Sequence, residues 1–249
     1  MTKEVINWEA QFAAEAQEVA ALERPAVGNI GFRGGVLTYG GTEIEGNAIT
    51  GIPLAYTMEH TYYADKWDPD DPQPPSCFAQ STPTEAGRDG NQMIPHESVV
   101  DPISAQCGGG PKLEWGSAEN GAGKACKQIR KIGFIPWTKD MDATMISSAE
   151  VGVAKLPVTS VKNWKNYINT ISAKFSRPPW AVVATMTVKN HAKYQFMVNF
   201  VDNFVIADSD ILTALNSRIE DVQKLLLTPY AYEEEAGAEA SKKKAPKKY

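Results

Sequence analysis

Trp180-Ala-Val-Val-Ala-Thr-Met-Thr-Val188 and Tyr194-Gln-Phe-Met-Val-Asn-Phe-Val201 are the stretches that decide the fold. Both are dense in β-branched and aromatic residues, and the polar Lys189-Asn-His-Ala-Lys193 between them is a short connection. That pattern predicts two antiparallel strands. A helix precedes them: Thr159 or Ser160 offers an N-cap, and Val161, Trp164, Ile168, Ile171 and Phe175 recur at helical spacing. Lys162, Lys165 and Lys174 occupy its other face, and Pro178-Pro179 ends it. A last helix follows, capped by Asp208 or Ser209 and carrying Ile211, Leu212, Leu215, Ile219, Val222 and Leu226.

Toward the N-terminus, residues 150–156 and 128–137 read as further strands. Residues 28–63 are strand-like as well: Val36-Leu-Thr-Tyr39, a Gly40-Gly41 turn, Glu43-Ile44, then β-formers from Ile52 to Tyr63. Gly-Gly between apolar residues signals a hairpin, so this half predicts a β-meander or a small barrel wall. Residues 4–22 predict an amphipathic helix with Val5, Trp8, Phe12, Ala16, Val19 and Leu22 on one face, stopped by Pro25. The class is α+β.

At 249 residues the chain suits one large domain with an insertion and tails. No apolar run approaches the roughly 20 residues of a membrane helix. The start lacks a basic region followed by an apolar one, so no signal peptide is expected. Three cysteines, an odd number widely spaced, argue against a disulfide framework and for a reducing, cytosolic setting.

The net charge of -5 is unevenly spread. Residues 1–111 hold five Lys/Arg against sixteen Asp/Glu, whereas residues 112–193 hold thirteen against five. A field over one face, not the total, governs polyanion binding. The competing reading makes these lysines ordinary solvated surface.

Residues 65–111 are rich in Pro, Gly, Asp and Ser and lack periodicity. So long a stretch without regular structure needs something to tie it down. Cys77, His96, Cys107 and Cys126 lie in or just beyond it, and a tetrahedral ion can stabilise a loop-rich unit that builds no core. The tail after Pro229 is expected to be disordered, acidic at Glu233, Glu234, Glu235 and Glu239, and basic from Lys242 to Lys248.

Cys107-Gly-Gly-Gly-Pro-Lys-Leu-Glu-Trp-Gly-Ser117, followed by Gly123-Lys-Ala-Cys-Lys-Gln-Ile-Arg-Lys131, resembles the cysteine-rich loop of a group of bacteriophage single-stranded-DNA-binding proteins. Tyr62-Tyr63 with Asp68-Pro-Asp70, Pro74-Pro-Ser-Cys-Phe-Ala79, Pro95-His-Glu97 and Leu156-Pro-Val-Thr-Ser160 are similar to segments of the same group, so the likeness covers most of residues 28–200. The resemblance implies an OB-like antiparallel β-barrel with an inserted metal-stapled loop, acting in phage replication or recombination in the host cytoplasm. One departure stands out: the group's Cys-x-x-Cys is broken, with Gly110 in place of the second cysteine. The implied structural Zn2+ would then be held by Cys77, Cys107, Cys126 and, as substitute, His96. The alternative is a metal-free loop whose cysteines are small buried hydrophobes. His60 reads as a core or surface histidine, and His191 as a solvent-exposed turn residue.

Gly108-Gly-Gly-Pro-Lys112 and Gly121-Ala-Gly-Lys124 lack the spacing of a phosphate loop, which excludes nucleotide hydrolysis as an expectation. Asp68-Pro-Asp-Asp71 reads as a solvated acidic loop. No nucleophile elbow, zincin or deaminase signature is present. The expectation is a non-enzymatic single-stranded-DNA-binding protein. Lys112, Lys124, Lys127, Arg130 and Lys131 neutralise phosphates, and Trp115, with Tyr62, Tyr63 and Trp137, stacks on bases at roughly 1–3 kcal/mol per contact. Residues 1–27 are an N-terminal helix, residues 28–228 the binding domain with its insertion at about 65–126, and residues 229–249 a tail that engages replication or recombination proteins. The rival is an adaptor whose zinc-stapled loop forms a protein interface.

Overall fold

The computed structural model describes residues 28–65, 73–119 and 121–230. The helix expected at 4–22, the acidic Asp68-Pro-Asp-Asp71 and the tail beyond Tyr230 lie outside the described residues. The strands are β1 (Gly28–Gly31), β2 (Thr38–Tyr39), β3 (Thr42–Glu43), β4 (Ala48–Tyr62), β5 (Cys77–Ser81), β6 (Lys127–Pro136), β7 (Gly152–Leu156), β8 (Val182–His191) and β9 (Gln195–Val205). The α-helices are α1 (Pro83–Ala86), α2 (Ala143–Ser148), α3 (Val161–Phe175) and α4 (Ser209–Leu226). These described residues form two units, one from 28–57 and 129–226, the other from 58–128 and 227–230.

In the first unit the strands run in the order β3-β2-β1-β7-β6-β4-β8-β9, a mixed α+β arrangement on a curled half-barrel sheet. The deciding pair is present: β8 and β9 are antiparallel, from Val182↔Val205 to His191↔Gln195, with a register shift at Val183/Ala184. Gly40-Gly41 turns β2 into β3 with both glycines at positive φ, the geometry a two-residue hairpin needs. β1 and β7 pair parallel, against the expectation of a purely antiparallel sheet. They are far apart in sequence, so no hairpin constrains their direction.

Alternation along the strands sorts side chains onto two helical layers. Val182, Ala184 and Met186 of β8, with Ile132 and Phe134 of β6, join Trp164, Tyr167 and Ile171 of α3 in one core. Val183 and Ile135 face the other way, with Ile146 of α2 and Ile211, Leu215, Val222 and Leu226 of α4. Gly133 sits where α4 comes closest, since a Cβ there would meet Val222 Cγ1 at 2.4 Å. Asp208 caps α4, accepting the Asp210 and Ile211 amides at 2.9 and 3.0 Å. Among the described residues no helix is long and apolar enough to cross a membrane.

Two features of this unit escape periodicity. α2 is a short helix capped by Asp142, whose carboxylate accepts the Met145 amide at 2.8 Å. The second is the junction of α3 with β9. Buried Ser160 accepts the Val198 amide at 2.9 Å, while Asn163 donates to the Val198 carbonyl at 2.9 Å. Side chains of the helix start thus answer both backbone groups of one residue on the last strand. Ser160→Ala removes the acceptor from a buried amide, and a loss of about 1–3 kcal/mol is expected, read as a lower urea midpoint at unchanged slope.

Candidate nucleic-acid interface

The second unit buries little apolar surface. Met58, Ala79, Ala86, Met93 and Cys107 make one core cluster, with Leu113 against them, and Phe78 and Val99 are buried besides. The segment expected to lack regular structure contains β5, antiparallel to the end of β4 from Met58↔Ser81 to Tyr62↔Cys77, and the single-turn α1 capped by Thr82. Short apolar runs between prolines carry too few residues to show a period.

Polar groups fix the rest. His60 is 1% exposed, and its Nε2 accepts from Gln128 Nε2 at 3.2 Å, while the same amide donates to the Asp89 carbonyl at 2.9 Å. Glu59, fully buried, accepts from Gln80 Nε2 and from the Tyr230 hydroxyl, both at 2.7 Å. The Tyr230 ring stands edge-on to Phe78 at 5.0 Å. Burial first, and the Glu59 charge second, push the Tyr63 hydroxyl above its ordinary pKa, opposed by a hydrogen bond with Tyr230.

Ser117 is the knot of the glycine-rich loop. Its hydroxyl lies 2.9 Å from the Lys112 carbonyl and 2.7 Å from that of Glu114, and accepts the Ala125 amide at 3.0 Å. The Cys126 amide donates to the Lys112 carbonyl at 2.8 Å, and the Gly116 amide to the Gly123 carbonyl at 2.7 Å. Lys112 and Lys127 are thereby brought to one place. They line a cleft of about 440 Å³ together with Tyr62, Tyr63, Asp65 and Glu119. The Lys112 ammonium sits over the Tyr62 ring, 5.1 Å from its centroid.

The other expected binding residues divide. Trp115 is 81% exposed at the loop tip. Lys124 donates to Gln128 Oε1 at 2.9 Å, and Lys127 to the Lys124 carbonyl at 2.8 Å. Arg130 and Lys131, expected as phosphate contacts, are 2% and 6% exposed and belong to the first unit. Lys131 Nζ donates to the Leu226 carbonyl at 3.2 Å, so its charge caps α4 where the helix dipole favours a cation. Trp137, expected to stack on bases, instead packs edge-to-face on Phe204 at 5.7 Å.

All three cysteines of the chain line a second, much smaller cavity of about 30 Å³, bounded also by Gly110, Ser104 and Tyr62. They are free thiols. Burial, then the charge of Cys77, pushes the Cys107 thiol up to about 11. Burial, then the charges of Cys107 and Cys77, pushes Cys126 up to about 12, with Lys124 and Lys127 opposing. Among the described residues no His, Cys, Asp and Glu side chains already stand as a ligand set of three for a metal ion. His96 is not part of this cavity wall. Its ring stacks on Phe78 at 4.8 Å, and Nδ1 accepts the Ser98 amide at 3.2 Å, which leaves the neutral ring's proton on Nε2.

Neither Ser117 nor Ser104 figured among the expected site residues, and the only sequence signal for the first is its place closing the Trp115-Gly-Ser117 triplet. No protein-family model, curated protein or solved structure matches this chain. Ser117→Ala is expected to speed hydrogen exchange at the Ala125 amide by at least tenfold, as local opening becomes cheaper by about 1.4 kcal/mol or more, while exchange in β8 and β9 stays unchanged.

Proposed function

We propose that the chain is a non-enzymatic single-stranded-nucleic-acid-binding protein, with DNA as its substrate in phage replication or recombination. The observation that carries this reading is the cleft in which Tyr62 and Tyr63 stand beside Lys112 and Lys127. Aromatic faces take unstacked bases and lysines take the phosphates between them, and a volume of about 440 Å³ lies within the usual range for ligand sites. Exposed Trp115 supports the reading as a further stacking face in the same unit. The resemblance to phage single-strand binders supports it too. An OB-like reading of the curled sheet, a host-cytoplasmic location and replication or recombination partners at the C-terminal tail belong to the same proposal.

Asp65 and Glu119 also line the cleft and repel phosphate there. They therefore supply a signed test. On oligo-dT, log affinity falls linearly with log salt, with a slope near -0.7 per phosphate contact, so Lys112, Lys124 and Lys127 together give about -2. Lys112→Ala with Lys127→Ala lowers the magnitude of that slope by about 1.4. Trp115→Ala weakens binding while leaving the slope as it was. Asp65→Asn with Glu119→Gln strengthens binding at low salt. Equal affinity for duplex and single strand, or no binding at roughly 50 mM salt, favours the adaptor reading instead.

A further inference from the structure

We infer that the cleft between α3 and β9 is a separate subsite that takes a single nucleobase bearing an exocyclic amino group and reads its edge. The inference rests on the single-strand reading for the class of its ligand, but it uses residues of the first unit alone. Asn163, Asn166 and Tyr167 stand at i, i+3 and i+4 along α3 and so share a face, and Asn199, Phe200 and Asp202 of β9 line the cleft with them. The space is about 210 Å³. That lies below the usual range for drug-sized ligands and suits one ring. Tyr167 is 4% exposed, yet its buried hydroxyl has no hydrogen-bond partner among the described residues. An unpaired buried hydroxyl is destabilising, so one in a cleft wall points to a partner from outside the chain. Burial first, and the Asp202 charge second, hold that hydroxyl above its ordinary pKa, so it stays protonated and can donate.

Acceptors line the same cleft. Asn163 commits its Nδ2 to the Val198 carbonyl and to Asn199 Oδ1, both at 2.9 Å, and nothing among the described residues donates to its own Oδ1. Asp202 accepts from Lys174 Nζ through Oδ2 at 2.6 Å, and among the described residues its other oxygen takes no hydrogen bond. That ion pair offsets the carboxylate charge, and no cation is among the lining residues. A phosphate finds nothing to hold it there, whereas an uncharged base does. Two open acceptors beside one donor match an amino group, with its two N–H bonds, next to a ring atom that accepts. Adenine, cytosine and guanine carry an amino group and thymine does not, so thymine leaves one acceptor unanswered. Phe200, edge-to-face with Trp164 at 5.0 Å and tilted against Tyr167 at 5.7 Å, supplies a ring for the base to pack on. Exposed Asn166 adds a carboxamide.

The test is an amide-detected NMR titration of the full chain with free deoxycytidine, thymidine and deoxyribose, none of which carries a phosphate. The expected result is a saturable shift of the Asn163, Asn166 and Asn199 side-chain amides with deoxycytidine and none with deoxyribose. Deoxycytidine should bind at least about fivefold tighter than thymidine, the lower end of what one well-placed edge contact discriminates. Tyr167→Phe should leave the thermal midpoint of the free protein no lower, because its hydroxyl has no partner to lose, and should weaken deoxycytidine binding at least about fivefold. No saturable shift, equal affinity for the two nucleosides, a response to deoxyribose, or a Tyr167→Phe protein that is destabilised or binds as the wild type does would each overturn the inference. Lys112 and Lys127 play no part in a nucleoside titration. Nucleoside shifts without oligo-dT binding therefore sink the proposed function and leave this subsite standing, and oligo-dT binding without nucleoside shifts does the reverse.

Discussion

Shortage of buried apolar surface is the constraint on which the second unit depends. A cluster of five core side chains, with buried Phe78 and Val99 beside it, is small against the conformational entropy of some seventy ordered residues, since each costs on the order of 1–2 kcal/mol to fix. Order has to come from elsewhere. Ser117 binds three points of one loop, Gln128 joins a buried strand histidine to the Asp89 turn, and Tyr230 closes on Glu59. The first unit relies chiefly on two apolar clusters on the two sides of its sheet, with Ser160 and Asn163 holding Val198.

Little of the segment's basic excess reaches the cleft. The basic excess of residues 112–193 includes Lys131, whose ammonium is spent on a helix terminus, and Arg130, which is buried. Lys174 is paired with Asp202 at 2.6 Å. What remains around the cleft is two lysines set against two carboxylates. Stacking surface and local geometry, more than net charge, distinguish this cleft from ordinary polar surface.

Where residues adjacent in sequence also cooperate in space, the chain is legible from its sequence. The Gly40-Gly41 hairpin, α3 with its apolar face, α4 with its cap and the β8–β9 pair all follow from local spacing. β5 and α1 were hidden because two or three apolar residues between prolines show no period. The hydrogen bond of Lys131 to the end of α4 is not legible in the sequence because its partner is 95 positions away. Within the site, Tyr62, Tyr63, Lys112 and Lys127 were legible as types suited to a strand of nucleic acid, but their meeting depends on Ser117, whose small side chain announces nothing. The chemistry of His96 suits a ligand, whereas its stacking on Phe78 and its place outside the cysteine-lined cavity are tertiary facts.

β9 ends the strand order of the first unit, and an exposed strand end is where chains of β-rich proteins tend to join one another. Val201 and Phe204 are exposed there. Yet at Val198 both backbone groups already answer to Ser160 and Asn163, so an incoming strand would find that rung taken. The helix start works as a stopper in the ladder. A visiting strand would have to pair along residues 199–205, beyond the rung already occupied by the start of the longest core helix but one.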